Sequence, residues 1–273
     1  MGKFDGYLIC TDLDGTLYTK EKKISDENRE AIEYFKREGG LFTFITGRMP
    51  YYSSDAYNNV KPNAPYGCVN GGALFDGVKQ EYIWKTDMPK EVIELIGSVD
   101  VNVPDIGIQV CCFDKTYFSK ESDTTEWFRK VTDIPNLVCD YRKVSEPIAK
   151  ILFCTAKADA MENAERVLHS HPLADEFTFT RSSRTLYEIL PKDVNKGLAF
   201  SKLTQHFGID KNKTLAIGDY DNDVGMLKAA KVGVAVANAS ESAKKAADFI
   251  TVSNEESAIA RLINDLEAGK YGI

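Results

Sequence analysis

The sequence lacks the features that define several protein classes. It has no run approaching the roughly 20 consecutive apolar residues of a membrane-spanning helix, and its first residues lack the apolar core of a secretion signal. Basic residues are not in excess, because 34 lysines and arginines stand against 41 aspartates and glutamates. A nucleic-acid partner requires a basic surface. The sequence therefore predicts neither a membrane protein nor a nucleic-acid-binding one, although a small anionic substrate could still bind to local cations.

Cysteine is scarce, and its arrangement is not that of a metal site or a disulfide framework. The six cysteines include no C-x-x-C pair, and Cys10, Cys68 and Cys154 each lie in an apolar run. This pattern is typical of buried, reduced cysteines in a cytoplasmic protein. A G-x-G-x-x-G motif is also absent after the first strand, which disfavours a nicotinamide-dependent oxidoreductase.

The hydrophobic pattern divides the 273 residues into two kinds of segment. Strand and helix signals alternate over residues 1–83 and again over 191–273, as in a parallel sheet covered by helices. Short paired strands with helices between them fill residues 84–190 instead, which favours an antiparallel sheet. We predict an α/β fold in which a Rossmann-like parallel sheet core, residues 1–83 and 191–273, carries an inserted α+β cap domain, residues 84–190.

Polar residues gather where the predicted core strands end. Asp12-Leu13-Asp14-Gly15-Thr16 follows the first strand, and Thr46-Gly47-Arg48 follows the second. Lys196 opens a helix, and an acidic cluster over residues 218–223 follows a later strand. Ligands of open α/β sheets bind at the carboxyl ends of the strands. Close carboxylates repel one another, and a divalent cation such as Mg²⁺, with few protein ligands and several waters, relieves that repulsion.

These residue types match the requirements of phosphate monoester hydrolysis. Enzymes accelerate this reaction by up to about 10²¹-fold, which takes a nucleophile, a metal and a positive clamp together. Asp12 could attack phosphorus, and Asp14 could shuttle the proton. Thr46 and Lys196 could bind the phosphoryl oxygens. The metal ligands would include Asp219 and Asp223.

The ordered set DLDGT, TGR, Lys196-Gly197 and GDYDND resembles the haloacid dehalogenase-like phosphatase superfamily. The large insert looks like that of its Cof-type sugar-phosphatase branch, and the resemblance covers essentially the whole chain. It implies a Mg²⁺-dependent phosphatase of small phosphorylated metabolites, with sugar phosphates as the expected class and an aspartyl-phosphate intermediate. One departure is Ala237, where the branch usually has glycine; it bears on a loop conformation alone.

The resemblance also implies a role for each matching residue. Asp12 becomes the nucleophile and Asp14 the acid/base, whose backbone carbonyl also binds metal. The implied catalytic set is Asp12, Asp14, Thr46 and Lys196. The implied metal ligands are Asp12, Asp14, Asp219 and Asp223. The candidate substrate-binding residues are Thr46, Gly47, Arg48, Lys196 and Asn222.

Several alternatives stay open from the sequence. Thr46 could cap the following helix, and Arg48 could contact substrate or brace its own loop. Asp219, Asp221 and Asp223 imitate the start of a calcium loop, but Val224 occupies the required glycine position. The chain could instead be a phosphomutase or phosphotransferase, or a catalytically idle ligand-binding protein of the same fold. The sequence leaves the oligomeric state and the physiological substrate undefined.

Overall fold

A computed structural model describes residues 2–273 of the protein. Its strands are β1 (Leu8–Thr11), β2 (Leu41–Phe44), β3 (Tyr66–Cys68), β4 (Ala73–Asp76), β5 (Glu81–Lys85), β6 (Gly107–Cys112), β7 (Thr116–Lys120), β8 (Leu137–Val138), β9 (Ile148–Cys154), β10 (Phe177–Ser183), β11 (Leu186–Pro191), β12 (Thr214–Gly218), β13 (Val232–Ala235) and β14 (Phe249–Ile250). Its α-helices are α1 (Asp26–Arg37), α2 (Ser54–Val60), α3 (Val92–Asn102), α4 (Thr125–Thr132), α5 (Ala158–His169), α6 (Lys196–Phe207), α7 (Val224–Ala229), α8 (Glu241–Ala246) and α9 (Ala258–Glu267).

The chain forms two compact units. The first comprises residues 2–48, 53–85 and 195–273, and the second comprises Met49–Tyr52 and Thr86–Val194. Within residues 2–273, no helix combines the length and apolar character needed to cross a membrane. All six cysteines are free, and all but Cys139 are buried.

A five-stranded parallel sheet forms the centre of the first unit, in the order β14-β13-β12-β1-β2. Strand β1 is buried along its whole length and has a neighbouring strand on each side, β12 and β2. Thr11 is in register with Ile217 of β12 and with Phe44 of β2. The three strands therefore end side by side, and the residues that follow them meet at one edge of the sheet. The predicted α/β class with a parallel core sheet is confirmed.

Local signals in the sequence explain where the core helices begin. Ser25 caps α1 by accepting a hydrogen bond from the Asn28 N–H, and acidic residues occupy the first turn. Asn195 caps α6 by accepting from the N–H groups of Gly197 and Leu198 at 2.9 Å and 3.2 Å. This second cap places Lys196 at the first position of α6, facing the edge of the sheet.

Strand β3 does not join the parallel sheet of the first unit. It ends at Cys68 and belongs to a separate antiparallel sheet, β3-β4-β5, which is joined to the core by a single bridge between Ile45 and Gly67. Val69 and Asn70 have positive φ angles, so the chain turns away before a longer parallel pairing can form.

The second unit contains a six-stranded sheet in the order β10-β11-β9-β6-β7-β8. All its strand pairs are antiparallel except β7 with β8, which is parallel. Strand β8 has two residues, both exposed, and the sequence pattern does not predict it. One face of the sheet packs against α3 and α5 in an apolar core that includes Val110, Phe153 and Ile189. The opposite face carries a buried ion pair, Lys150 with Glu188.

Candidate active site

The edge of the core sheet brings Asp12 and Lys196 together across 184 residues of sequence. Asp12 follows β1, and its N–H donates to the Ile217 carbonyl at 3.0 Å, which holds the residue beside the end of β12. Lys196 Nζ lies 2.6 Å from Asp12 Oδ1 and 2.6 Å from Asp223 Oδ1. The ammonium group therefore bridges two carboxylates that come from different strand ends.

Lys196 is almost fully buried, with 1% of its side chain exposed. A cation at the first position of a helix opposes the helix dipole. Burial lowers the pKa of Lys196, but the charges and hydrogen bonds of Asp12 and Asp223 outweigh it, and the net pKa is raised. The lysine therefore stays protonated, and its unfavourable position is compensated by the two acids.

Three carboxylates form an acidic cluster at this edge. Oxygens of Asp12, Asp219 and Asp223 lie within 4.8 Å of one another. Burial raises the pKa of Asp12 well above its ordinary range; Lys196 opposes this rise, while the charges of Asp223 and Asp219 add to it. Burial and the charge of Asp223 raise the pKa of Asp219 to about 7. One lysine thus faces three acids. The carboxylate oxygens of those acids form an all-oxygen ligand set, which fits a hard divalent cation.

Backbone and side-chain contacts hold the acidic cluster in place. Asp223 Oδ2 accepts hydrogen bonds from the N–H groups of Asp219 and Tyr220, at 2.8 Å and 3.0 Å. Gly15 has a φ of +86°, and a Cβ built on it would lie 2.4 Å from Asp219 Oδ2. The hydroxyl of Thr16 donates to Asp219 Oδ1 at 2.8 Å, a role that the sequence analysis missed. Its position in the Asp12–Thr16 motif was the available signal.

Asp14 lies apart from that cluster and is held by two cations. Arg48 Nη2 contacts both of its carboxylate oxygens at 2.9 Å, and Lys22 Nζ lies 2.6 Å from Oδ1. Burial raises the pKa of Asp14, but the charges of Arg48 and Lys22 outweigh it, and the net pKa is lowered. Arg48 therefore binds a carboxylate of the neighbouring loop after β1, a contact that is neither of the two alternatives left open by the sequence.

Thr46 and Gly47 form the loop after β2. The Thr46 N–H donates to the Gly67 carbonyl at 3.0 Å, and its hydroxyl accepts from the Arg48 N–H at 3.3 Å. Thr46 is not the cap of the next α-helix, because α2 begins after Ser53. The capping alternative is therefore wrong, and the buried Thr46 side chain lies at the end of the sheet.

Asn222 and Asp221, the other polar residues of the acidic loop, contact different segments. Asn222 Nδ2 donates to Asn70 Oδ1 at 2.9 Å, which joins the acidic loop to the segment after β3. Asp221 instead accepts hydrogen bonds from Ser240, at 3.0 Å, and from Ser242. Asp221 is therefore outside the cluster of three carboxylates.

A buried lysine and clustered acids at the edge of a parallel sheet are groups that α/β enzymes can use to stabilise a transferring phosphoryl group. The model of the haloacid dehalogenase-like hydrolase family matches residues 9–263. The chain belongs to this family, and both the predicted resemblance to its Cof-type branch and the prediction of a phosphoric monoester hydrolase are confirmed.

Individual relatives are similar along their whole length. A 5-amino-6-(5-phospho-D-ribitylamino)uracil phosphatase of Bacillus subtilis, YwtE, is 29% identical over 96% of this chain and 99% of its own. The structure of a haloacid dehalogenase-like hydrolase from Bacteroides thetaiotaomicron is 27% identical, with a TM-score of 0.82, over 95% of this chain and 99% of that one. The structure of the subclass IIB sugar phosphatase BT4131 shares the fold, with 22% identity and a TM-score of 0.84. The match covers 95% of this chain and 98% of that one.

Proposed function

We propose that the protein is a Mg²⁺-dependent phosphatase that hydrolyses small phosphorylated metabolites through an aspartyl-phosphate on Asp12. The observation that carries the proposal is the buried Lys196 ammonium bridging Asp12 and Asp223 within a cluster of three acids. A protein that only binds a ligand does not need a buried carboxylate paired with a lysine beside two further acids. Sugar phosphates are the proposed substrate class, and the phosphorylated sugar-alcohol chain in the name of the relative YwtE supports it.

The proposed reaction has two displacements. A carboxylate oxygen of Asp12 attacks phosphorus while the bond from phosphorus to the leaving oxygen breaks, and Asp14 supplies the proton to that oxygen. Asp14 then takes a proton from the water that attacks the phosphoryl group, which frees Asp12 and inorganic phosphate. The carboxylates of Asp12, Asp219 and Asp223, with the Asp14 backbone carbonyl, would hold Mg²⁺, which offsets the negative charge of the phosphoryl oxygens.

The substrate-binding residues surround Asp12 in this proposal. Lys196 and the Thr46 hydroxyl bind phosphoryl oxygens, and Gly47 and Asn222 complete the same side of the site. Arg48 holds Asp14 in the structure, and an incoming phosphoryl group competes for its guanidinium. That competition releases the Asp14 carboxyl to carry the proton, which its present ion pairs oppose.

The role of the second unit, the cellular location and the partner are also proposed. The second compact unit, predicted as an inserted cap over residues 84–190, would exclude water and select the substrate. The free cysteines agree with a cytoplasmic location. The proposed partner is a small metabolite rather than a nucleic acid or a membrane.

The decisive experiment combines one substitution with metal removal. Asp12→Asn should abolish phosphate release from p-nitrophenyl phosphate and from a panel of sugar phosphates, while circular dichroism shows a folded protein. EDTA should silence the wild type, and added Mg²⁺ should restore it. Activity that survives either treatment contradicts the mechanism. Formation of a phosphorylated isomer without free phosphate would identify a phosphomutase instead.

A further inference from the structure

Asn70 is a buried residue that the sequence motifs leave without a role. It follows β3 in the first unit, has a φ of +50° and is 1% exposed. Asparagine is among the few residues other than glycine that adopt this left-handed conformation readily. Its backbone N–H donates to the Thr46 carbonyl at 3.1 Å. The residue is therefore anchored to the loop that carries three of the candidate substrate-binding residues, Thr46, Gly47 and Arg48.

The side-chain amide of Asn70 contacts both polar segments of the site. Its Oδ1 accepts the hydrogen bond from Asn222 Nδ2. A Cβ built on Gly47 would lie 2.9 Å from Asn70 Oδ1 and 3.0 Å from Asn70 Nδ2. The missing side chain at Gly47 thus lets the amide approach the loop, and the Asn70 amide lies between the Thr46-Gly47 loop and Asn222.

One end of this amide is left without a partner. Among the described residues, Asn70 Nδ2 is buried and makes no hydrogen bond. A buried donor without an acceptor is unfavourable, so the position favours a ligand that brings an oxygen. An anionic phosphoryl oxygen suits it best, since a hydrogen bond to a charged acceptor is stronger than one between neutral groups.

We propose that Asn70 Nδ2 donates a hydrogen bond to a phosphoryl oxygen of the substrate, while Asn70 Oδ1 keeps the Asn222 amide in place. This inference rests on the proposed phosphatase function and adds one residue to its substrate site. It makes the segment after β3 part of phosphate binding, beside the loop after β2 and the acidic loop after β12.

Two variants and a matched control test the proposal. Asn70→Asp keeps an acceptor for Asn222 and loses the donor, and Asn70→Gly removes the side chain while suiting the positive φ. Asn28 on α1 provides the control, because it is also 1% exposed, accepts from the Ala260 N–H at 2.9 Å and has an unpartnered Nδ2. Asn28→Asp therefore repeats the chemical change away from the site.

The readouts are binding of inorganic phosphate by calorimetry and steady-state kinetics with p-nitrophenyl phosphate. Both Asn70 variants should weaken phosphate binding and raise KM by about 10-fold to 100-fold, the range for one hydrogen bond to a charged group. Asn28→Asp should lower stability and leave both constants unchanged. Phosphate affinity that stays at the wild-type level in the folded Asn70 variants overturns the inference.

Two further results separate the inference from the proposed function. A wild type that binds phosphate yet hydrolyses no monoester refutes the proposed function, and the calorimetric comparison still decides the role of Asn70. If neither Asn70 variant folds, a crystal structure of the wild type with inorganic phosphate is decisive. An Asn70 Nδ2 within about 3.2 Å of a phosphate oxygen supports the proposal, and an Nδ2 bonded to protein or water overturns it.

Discussion

Replacing Lys196 by methionine removes the only side-chain cation seen to pair with Asp12 and Asp223 among the described residues. The two side chains are similar in length, so packing at the start of α6 is retained. The carboxylates of Asp12 and Asp223 then stay buried, close to Asp219, without the ammonium group. The substitution therefore isolates the electrostatic role of the lysine.

The expected loss of stability follows from the burial of the ion pairs. Removing one partner of a buried pair costs about 3–5 kcal/mol, whereas relief of the opposed helix dipole returns about 1 kcal/mol. The free energy of unfolding of Lys196→Met should fall by about 2–4 kcal/mol in EDTA. Mg²⁺ should recover more of this stability than it adds to the wild type, because the variant site has lost a repelling cation. Phosphatase activity should be lost.

Urea unfolding followed by tryptophan fluorescence measures this effect in the relevant unit. The chain has two tryptophans, Trp84 in the first unit and Trp127 in the second, so a Trp127→Phe background reports the first unit alone. Lys150→Met, in a Trp84→Phe background, is the control, because Lys150 is equally buried and pairs with Glu188 at 2.8 Å. A Lys196→Met protein as stable as wild type in EDTA refutes the reasoning, as does equal Mg²⁺ stabilisation of both variants.

Three further predictions test other parts of the structure. Gly15→Ala should lower kcat/KM at least about 10-fold, because the new Cβ meets Asp219 in a left-handed backbone conformation that costs about 1–2 kcal/mol. The control Gly208→Ala, at a positive φ with open space around it, should keep full activity. Equal activities of the two variants would exclude the steric reason. Ser25→Ala should lower the free energy of unfolding by about 1 kcal/mol through loss of the α1 cap, and an unchanged urea midpoint would contradict this. The pair Lys150→Met with Glu188→Leu should be more stable than Lys150→Met alone, since no buried charge is left unpaired; a double variant less stable than the single one would show that Glu188 has another essential partner.

Much of the fold was predictable because its signals are local. Ser25 and Asn195 cap the helices that follow them. The apolar run before Asp12 forms the buried strand β1, and apolar residues at helical spacing mark the buried face of α5. The helices α2 and α8 were not predicted, because they are short and few of their residues are apolar. Strand β8 is exposed on both residues and shows no alternation.

The sequence by itself determined which chemical groups this protein would bring to the end of its sheet. Each motif follows a strand or opens a helix, and parallel strands in one sheet all end at the same edge. Only the tertiary structure decided how those groups pair. Asp14 is held by Arg48 and Lys22 rather than joining the three clustered acids, and Asn70 lies between Gly47 and Asn222. These partners come from turns of separate segments, and a turn's side-chain directions depend on packing that no local pattern records.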